Sequence, residues 1–439
     1  MGKVVITVKN GDVVSFIIMF LLTTYCFTSG GIVNYVFHNL LFILITFIII
    51  IIGTLSFTSF KVRCSKVLAI QIMFCIVIIL TNRNANFIHG VFVNDIAIIT
   101  AFLFFLFSNH SNIWHKYFIL FTCIWTFFHA SITVLEYVVP GLYLNQIFPL
   151  FVDTAYAEYL LSGFNMGIMP GITANPTSNG MYLSVGIIIV SLIYLFQGRK
   201  KKVILSLLVL IMLVSITIAL LFTRKRALIV FSPLSVFIVY YIYNSDEPIK
   251  RIIKIIGMIF VVLAIFIILS QYLPLLDGFI DRFIETRNRG DISVGRFMLY
   301  GIAFLLFLDN PLTGIGWDAF KYYYLLNYFE FKNTHNVYLQ LLTENGVIGA
   351  LPFFIFFLVC YARAIRTMVN YCKIKKRFRN HMVDYGLAFS VGMQTLFLLY
   401  SMTENPLYDA QMFFPYICCI SIGEYYIAQM KQHKDEIIK

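Results

Sequence analysis

The sequence predicts an all-α integral membrane protein of about twelve transmembrane helices with long loops on its outer face. Three observations carry this. Of its 439 residues 60% are hydrophobic and only 12% charged, with a mean hydropathy of +0.85; soluble domains carry about 25% charged residues. Uncharged runs such as Leu40 to Phe57 and Val203 to Phe222 are long enough to cross about 30 Å of hydrocarbon at about 1.5 Å per residue. Lys and Arg gather in clusters between these runs, as they do in cytoplasmic loops. Inside lipid the backbone must satisfy its own hydrogen bonds, so the runs are read as helices. A β-barrel would show short alternating segments instead.

The predicted spans are 13–28, 38–58, 67–82, 91–108, 117–136, 180–197, 203–222, 227–244, 255–273, 342–362, 383–402 and 411–429. Lys3 and Lys9 precede the first apolar run, but no small-residue cleavage site follows it, so this run is expected to stay as a membrane helix. The clusters Lys61 with Arg63, Arg199 to Lys202, Lys250 with Arg251 and Lys254, and the run from Arg363 to Arg379 can all lie on one side. Both termini are then cytoplasmic. The chain reads as one polytopic domain over 1–439, with an outer loop at 138–179 and a large outer loop at 273–341 that holds short interfacial helices. The net charge of +12 is mostly this inner-loop bias and does not imply nucleic-acid binding.

Eight cysteines are present. They are placed in helices, as Cys75 and Cys360, or on the inner side, as Cys64 and Cys372. Neither a disulfide framework nor metal-ligand spacing is visible. Adjacent Cys418 and Cys419 read as packing residues. The sequence calls for no metal and no cofactor. Neither a Gly-rich phosphate loop nor a nucleophilic serine motif is found.

The sharpest local feature is the turn Thr223-Arg224-Lys225-Arg226 between two apolar spans. Its charges either snorkel to lipid headgroups or form an anion site, since guanidinium forks match phosphate oxygens in bidentate fashion. The large loop adds Arg282, Arg287 and Arg289 among Asp277, Asp281, Glu285 and Asp291, which read as solvated charges. Arg296 differs because it opens the apolar run Phe297 to Leu308. That run is too short to span and is expected to lie in the interface or to re-enter from outside. Asn310-Pro311 ends it, and Gly314-Ile315-Gly316 reads as a flexible turn. Beyond Thr334-His335, residues Asn336, Gln340 and Glu344 recur at a spacing of four and would form one polar stripe on a helix. Polar groups in an apolar span face the bundle interior or a wet cavity. His335 would cap the stripe, either as a structural histidine or as a base that titrates near neutrality. The cluster from Gly171 to Gly180 reads as a turn and helix cap entering a span.

In order along the chain, several segments resemble the O-antigen ligase and polymerase superfamily of bacterial envelope proteins. They are Gly171 to Asn179, Thr223 to Ala227, Gly295-Arg296, Asn310 to Gly316, His335 to Gln340 and Glu344 to Gly349. The resemblance covers roughly 165–365 in motifs. It implies a metal-independent, inverting glycosyltransferase of multi-span, GT-C-like architecture in the bacterial cytoplasmic membrane, with its active site on the outer face. The implied donor and acceptor are polyprenyl-diphosphate-linked glycans. The leading function is polymerisation of lipid-linked repeat units into O-antigen or capsule. The alternative is a ligase that moves the finished chain to lipid A core or another acceptor; a lipid-linked sugar transporter is a more distant third, since neither symmetric halves nor widely spread polar spans are visible. Flippase and chain-length regulator proteins are the implied partners beside the bilayer. Carried over residue by residue, Arg226 or Arg224 together with Arg296 would bind the donor diphosphate, and His335 would be the catalytic base. Asn336, Gln340 and Glu344 would support it. The Arg-Lys-Arg turn departs from the family's usual single Ser-Arg.

Overall fold

A computed structural model describes residues 10–28, 66–82, 97–101, 103–104, 108, 112–151, 161–173, 175–196, 203–244, 295–374 and 381–438. The predicted spans 38–58 and 255–273, most of 91–108, and loop residues 273–294 with Arg282, Arg287 and Arg289 lie outside the described residues. Regular structure among the described residues is helical: α1 (Asn10–Thr28), α2 (Lys66–Thr81), α3 (Asn112–Val138), α4 (Pro176–Phe196), α5 (Val203–Phe222), α6 (Arg226–Tyr243), α7 (Arg296–Asp309), α8 (Phe320–Tyr328), α9 (Val337–Ile374), α10 (His381–Tyr400) and α11 (Ala410–Ile438). Short helical turns fill Pro140 to Phe151.

Six of these helices, α3, α4, α5, α6, α9 and α10, are long and apolar enough to cross a membrane, while α1 and α2 hold shorter apolar stretches. The predicted spans therefore recur as helices with ends shifted by a few residues wherever the chain is described. α9 is the exception. It starts before the expected 342, so the polar stripe opens the helix and the last residues assigned to the large loop are helical.

The interior centres on α10, which packs on both α4 and α11. α4 is mostly buried, whereas α5 and α6 keep most of their apolar surface outward. α10 packs on α11 and α6, α5 on α4 and α3, α1 on α3, and α9 on α2. Phe397 of α10 stacks on Tyr416 of α11 with ring centroids 3.7 Å apart. Apolar side chains face both core and lipid here, so periodicity is weak and packing of aromatic rings fixes the partners.

At 38 residues α9 would be about 57 Å long, well beyond a bilayer core. It is broken at Gly346, where φ is 61° and ψ −171°. The segment from Asn310 to Trp317 crosses this break and satisfies the backbone groups it exposes. The amides of Ile315 and Gly316 donate to the carbonyls of Thr343 and Glu344, at 3.1 and 2.7 Å. The amides of Val347 and Ile348 donate to those of Pro311 and Leu312, at 2.8 and 3.2 Å. Non-helical backbone at membrane depth survives only when buried in protein in this way. Two glycines make the crossing possible. A Cβ on Gly314 (φ +65°) would stand 2.3 Å from the Glu344 carbonyl carbon, and one on Gly346 2.3 Å from that of Leu312. The segment expected to be a flexible turn is thus a fixed clasp. It also directs Trp317 between Tyr408 and Phe353, with ring centroids 4.6 and 5.5 Å away.

α7 is the short helix expected from the apolar run. Leu299, Ala303 and Leu306 pack with Phe320 and Tyr324 of α8 in a small separate cluster. The Thr343 hydroxyl donates to the Ala303 carbonyl at 2.9 Å and seats α7 against α9.

Candidate active site

The amino ends of α4, α6, α9 and α11 and the carboxyl end of α10 surround one cavity of about 430 Å³. Asn175 lines it from just before α4 and Thr177 and Ser178 from its first turn, Lys225 from the turn before α6, and Asn333 and His335 from the segment before α9. Tyr400 lines it from the end of α10, and Glu404, Asn405 and Asp409 from the α10–α11 connection. The segments 171–179, 223–226 and 334–336, far apart in sequence, each contribute to this cavity.

His335 sits at the apex of a tight turn. The Thr334 hydroxyl donates to the Asn336 carbonyl at 2.9 Å and accepts the Asn336 amide at 3.2 Å. His335 itself takes a left-handed φ of 54°, unusual for a residue with a Cβ and a form of strain that gathers at functional sites. Asn336 then caps α9, its Oδ1 accepting the Leu339 amide at 3.1 Å.

The Nδ1 of His335 lies 2.6 Å from Oε2 of Glu404. The other carboxylate oxygen, Oε1, accepts from Nη2 of Arg296 at 3.2 Å. Glu404 therefore joins the two residues that sequence reasoning had put forward separately. Burial works to raise its pKa, but the hydrogen bond and charge of His335, with the charges of Arg296 and Lys225, more than offset this and hold the carboxyl below its ordinary value. With Nδ1 engaged by the carboxylate, Nε2 is the ring nitrogen open to a substrate, and the Nδ1–H tautomer is the one this contact favours.

Of the basic turn, Lys225 is the residue in the cavity wall; Arg224 and Arg226 are not among the lining residues. Arg224 takes φ 53° and lays its guanidinium against Gly167, where a Cβ would meet Nη2 at 2.7 Å. Arg226 is the first residue of α6. The polar stripe divides its work. Gln340 and Glu344 are fully buried and bonded to each other at 3.0 Å. Glu344 also accepts the amides of Asp318 and Phe320, at 2.8 and 3.1 Å, which fixes the start of α8. Among the described residues no three His, Cys, Asp or Glu side chains group as metal ligands.

Sequence reasoning missed Glu404, and with it Asn405 and Asp409. The available signal was a lone acid in the short connection Thr403-Glu404-Asn405-Pro406 between two apolar spans, on the same side as His335. Lys225, which lines the cavity, had not been singled out beside Arg224 and Arg226, because charge type in a sequence does not show which of three adjacent side chains enters the wall.

Helices able to cross a membrane many times, gathered round a polar cavity with a paired histidine and carboxylate at one end, define a multi-pass membrane protein with an enzyme-like site. Residues 211–354 match the family model described as O-antigen ligase, which supports placing the chain in the O-antigen ligase and polymerase superfamily. The match takes in about a third of the chain. Lys225, Arg296, His335, Gln340 and Glu344 fall inside it and Glu404 outside. Nothing among curated proteins matches the chain.

Proposed function

We propose that this protein is a glycosyltransferase of the bacterial cytoplasmic membrane that polymerises polyprenyl-diphosphate-linked repeat units. The growing chain moves from its lipid carrier onto a hydroxyl of the next lipid-linked unit. The observation that carries this reading is the chain Arg296–Glu404–His335, whose last two members line one cavity with Lys225.

The chemistry follows from these groups. Nε2 of His335 takes the proton of the acceptor hydroxyl as its oxygen attacks the anomeric carbon. Glu404 holds the ring in orientation and stabilises the imidazolium that forms, as carboxylates do for histidine bases elsewhere. The bond from the anomeric carbon to the diphosphate oxygen breaks, and the electron pair leaves with the polyprenyl diphosphate. Lys225 and Arg296 are placed to offset the charge that grows on it. Attack opposite the leaving group inverts the anomeric centre, and the cations supply the stabilisation a metal ion gives in many soluble enzymes. Arg224 and Arg226 flank Lys225 and raise the local positive potential. The basic clusters around the other ends of the spans support both termini lying inside and the cavity facing outward.

The printed description of the matching family favours a second reading, a ligase that delivers a finished chain to another acceptor. One experiment separates them. Purified protein in nanodiscs receives polyprenyl-diphosphate repeat unit alone, and products are resolved on a gel beside His335→Ala and Arg296→Ala. A ladder from wild type that both substitutions abolish is the expected result. Product only after a second acceptor is added would establish the ligase. A ladder unchanged in both variants would refute this active site.

A further inference from the structure

We propose that Gln340 is the positioning residue that sets the contact between His335 and Glu404; this rests on the glycosyl-transfer reading above. His335 and Glu404 come from connections 69 residues apart, and neither connection is part of a helix. Their 2.6 Å contact needs something that ties the two loops together. One atom does so. Oε1 of Gln340 accepts the amide of Thr334 at 3.3 Å and its hydroxyl at 3.1 Å, and also Nδ2 of Asn405 at 2.7 Å. Thr334 immediately precedes His335, and Asn405 immediately follows Glu404. The acid and the base are thus each one residue away from a shared anchor.

Gln340 is itself held. Its Nε2 donates to Glu344 at 3.0 Å and to Oδ1 of Asn333 at 3.4 Å. Glu344 in turn accepts two backbone amides at the start of α8. The side chain is completely buried, and it rises from the short segment of α9 before the break at Gly346. An amide suits this position better than an acid or an alcohol. It presents an acceptor to three donors and donors to two acceptors without adding a charge. A buried network of this kind is stable only when each member is satisfied, so its geometry is narrowly defined.

The strain at His335 fits the same role. A left-handed φ at a non-glycine residue is strained and persists where its surroundings over-determine it. Here the determining contacts are those of Thr334, whose hydroxyl accepts the Asn336 amide and shares its one proton between the Asn336 carbonyl and Gln340.

The test uses full-length protein labelled with ¹⁵N-histidine in lipid. Wild type is expected to show a downfield Nδ1–H resonance for His335, assigned by its loss in Glu404→Ala. Gln340→Met, close in size but without the acceptor, is expected to lose or broaden it. In the transfer assay Gln340→Met should lower kcat about tenfold with KM within about twofold, and in the Glu404→Ala background it should cost less than about twofold. A resonance indifferent to Gln340→Met, or losses that multiply in the double variant, would overturn the proposal. Should Gln340→Met fail to fold, Asn405→Ala cuts the other end of the tie and is expected to weaken the same resonance; an unchanged resonance there counts equally against it. The resonance needs no substrate. If it follows this pattern while wild type transfers no glycan, the transfer reading fails and the positioning stands. If products form and the resonance ignores both substitutions, the reverse holds.

Discussion

Glu404 reaches His335 across 69 residues and stands 2.6 Å from its Nδ1, while its second oxygen holds Arg296 at 3.2 Å. One carboxylate therefore sets the tautomer of a base and the position of a cation at once. Glu404→Gln keeps the size and removes the charge. It is expected to lower kcat about a hundredfold in the gel assay, in line with loss of a group that orients and charge-stabilises a histidine base. Glu404→Asp, shorter by one methylene, should recover only part of this.

The same carboxylate makes stability depend on pH. Its folded pKa lies below the ordinary 4.5 because His335, Arg296 and Lys225 outweigh its burial. A carboxyl depressed on folding binds fewer protons than in the unfolded chain, so its contribution is present above the unfolded value. That contribution is lost as pH falls through the folded one. Thermal unfolding of the purified protein should show Tm falling below about pH 4, and Glu404→Gln should remove that part of the slope.

Within the basic turn the three charges are expected to separate by assay. Lys225→Ala should raise KM for the lipid-linked donor and lower kcat, together about 10–100-fold in kcat/KM, and Lys225→Arg should restore most of it. Arg224→Ala should change Tm more than rate, since its guanidinium packs on Gly167. Gly167→Ala should mimic that loss of stability, because φ there is +70° and a Cβ would meet the guanidinium at 2.7 Å.

The clasp over α9 gives the largest expected stability change. Gly346→Ala places a Cβ 2.3 Å from the Leu312 backbone at a φ of +61°, and neither neighbour is a side chain that can swing aside. A loss above about 3 kcal/mol is expected, read as a large drop in Tm or failure to purify as a monodisperse species. Gly314→Ala should do the same from the opposite side.

Where the chain is described, the helices stand where hydropathy put them, because about twenty apolar residues in a row admit no other structure in lipid. His335 and Arg296 were both legible, one as the head of a polar stripe and the other as a charge opening an apolar run. Their partnership was not, since it depends on a third residue in a different connection that carries no periodic signal. Gly314 looked like an ordinary turn residue, and Gly346 drew no structural reading of its own. Only the approach of two backbones shows that each is required by the other, and a linear pattern holds no record of that distance. The place of Lys225 in the cavity wall was hidden for a similar reason. A turn of three cations states the charge, and the fold decides which one lines the cavity.

The clasp has one more consequence. Its two strands of chain are fastened to each other at Ile315–Thr343 and Gly316–Glu344, so everything between them, from α8 to His335 and Gln340, hangs from a closed base. Only the outer part of this cassette, between α8 and Asn333, can change in length without pulling on the ties that Thr334, His335 and Gln340 make to the α10–α11 connection. The two glycines that close its base work as a matched pair, since a side chain on either would strike the backbone beside the other.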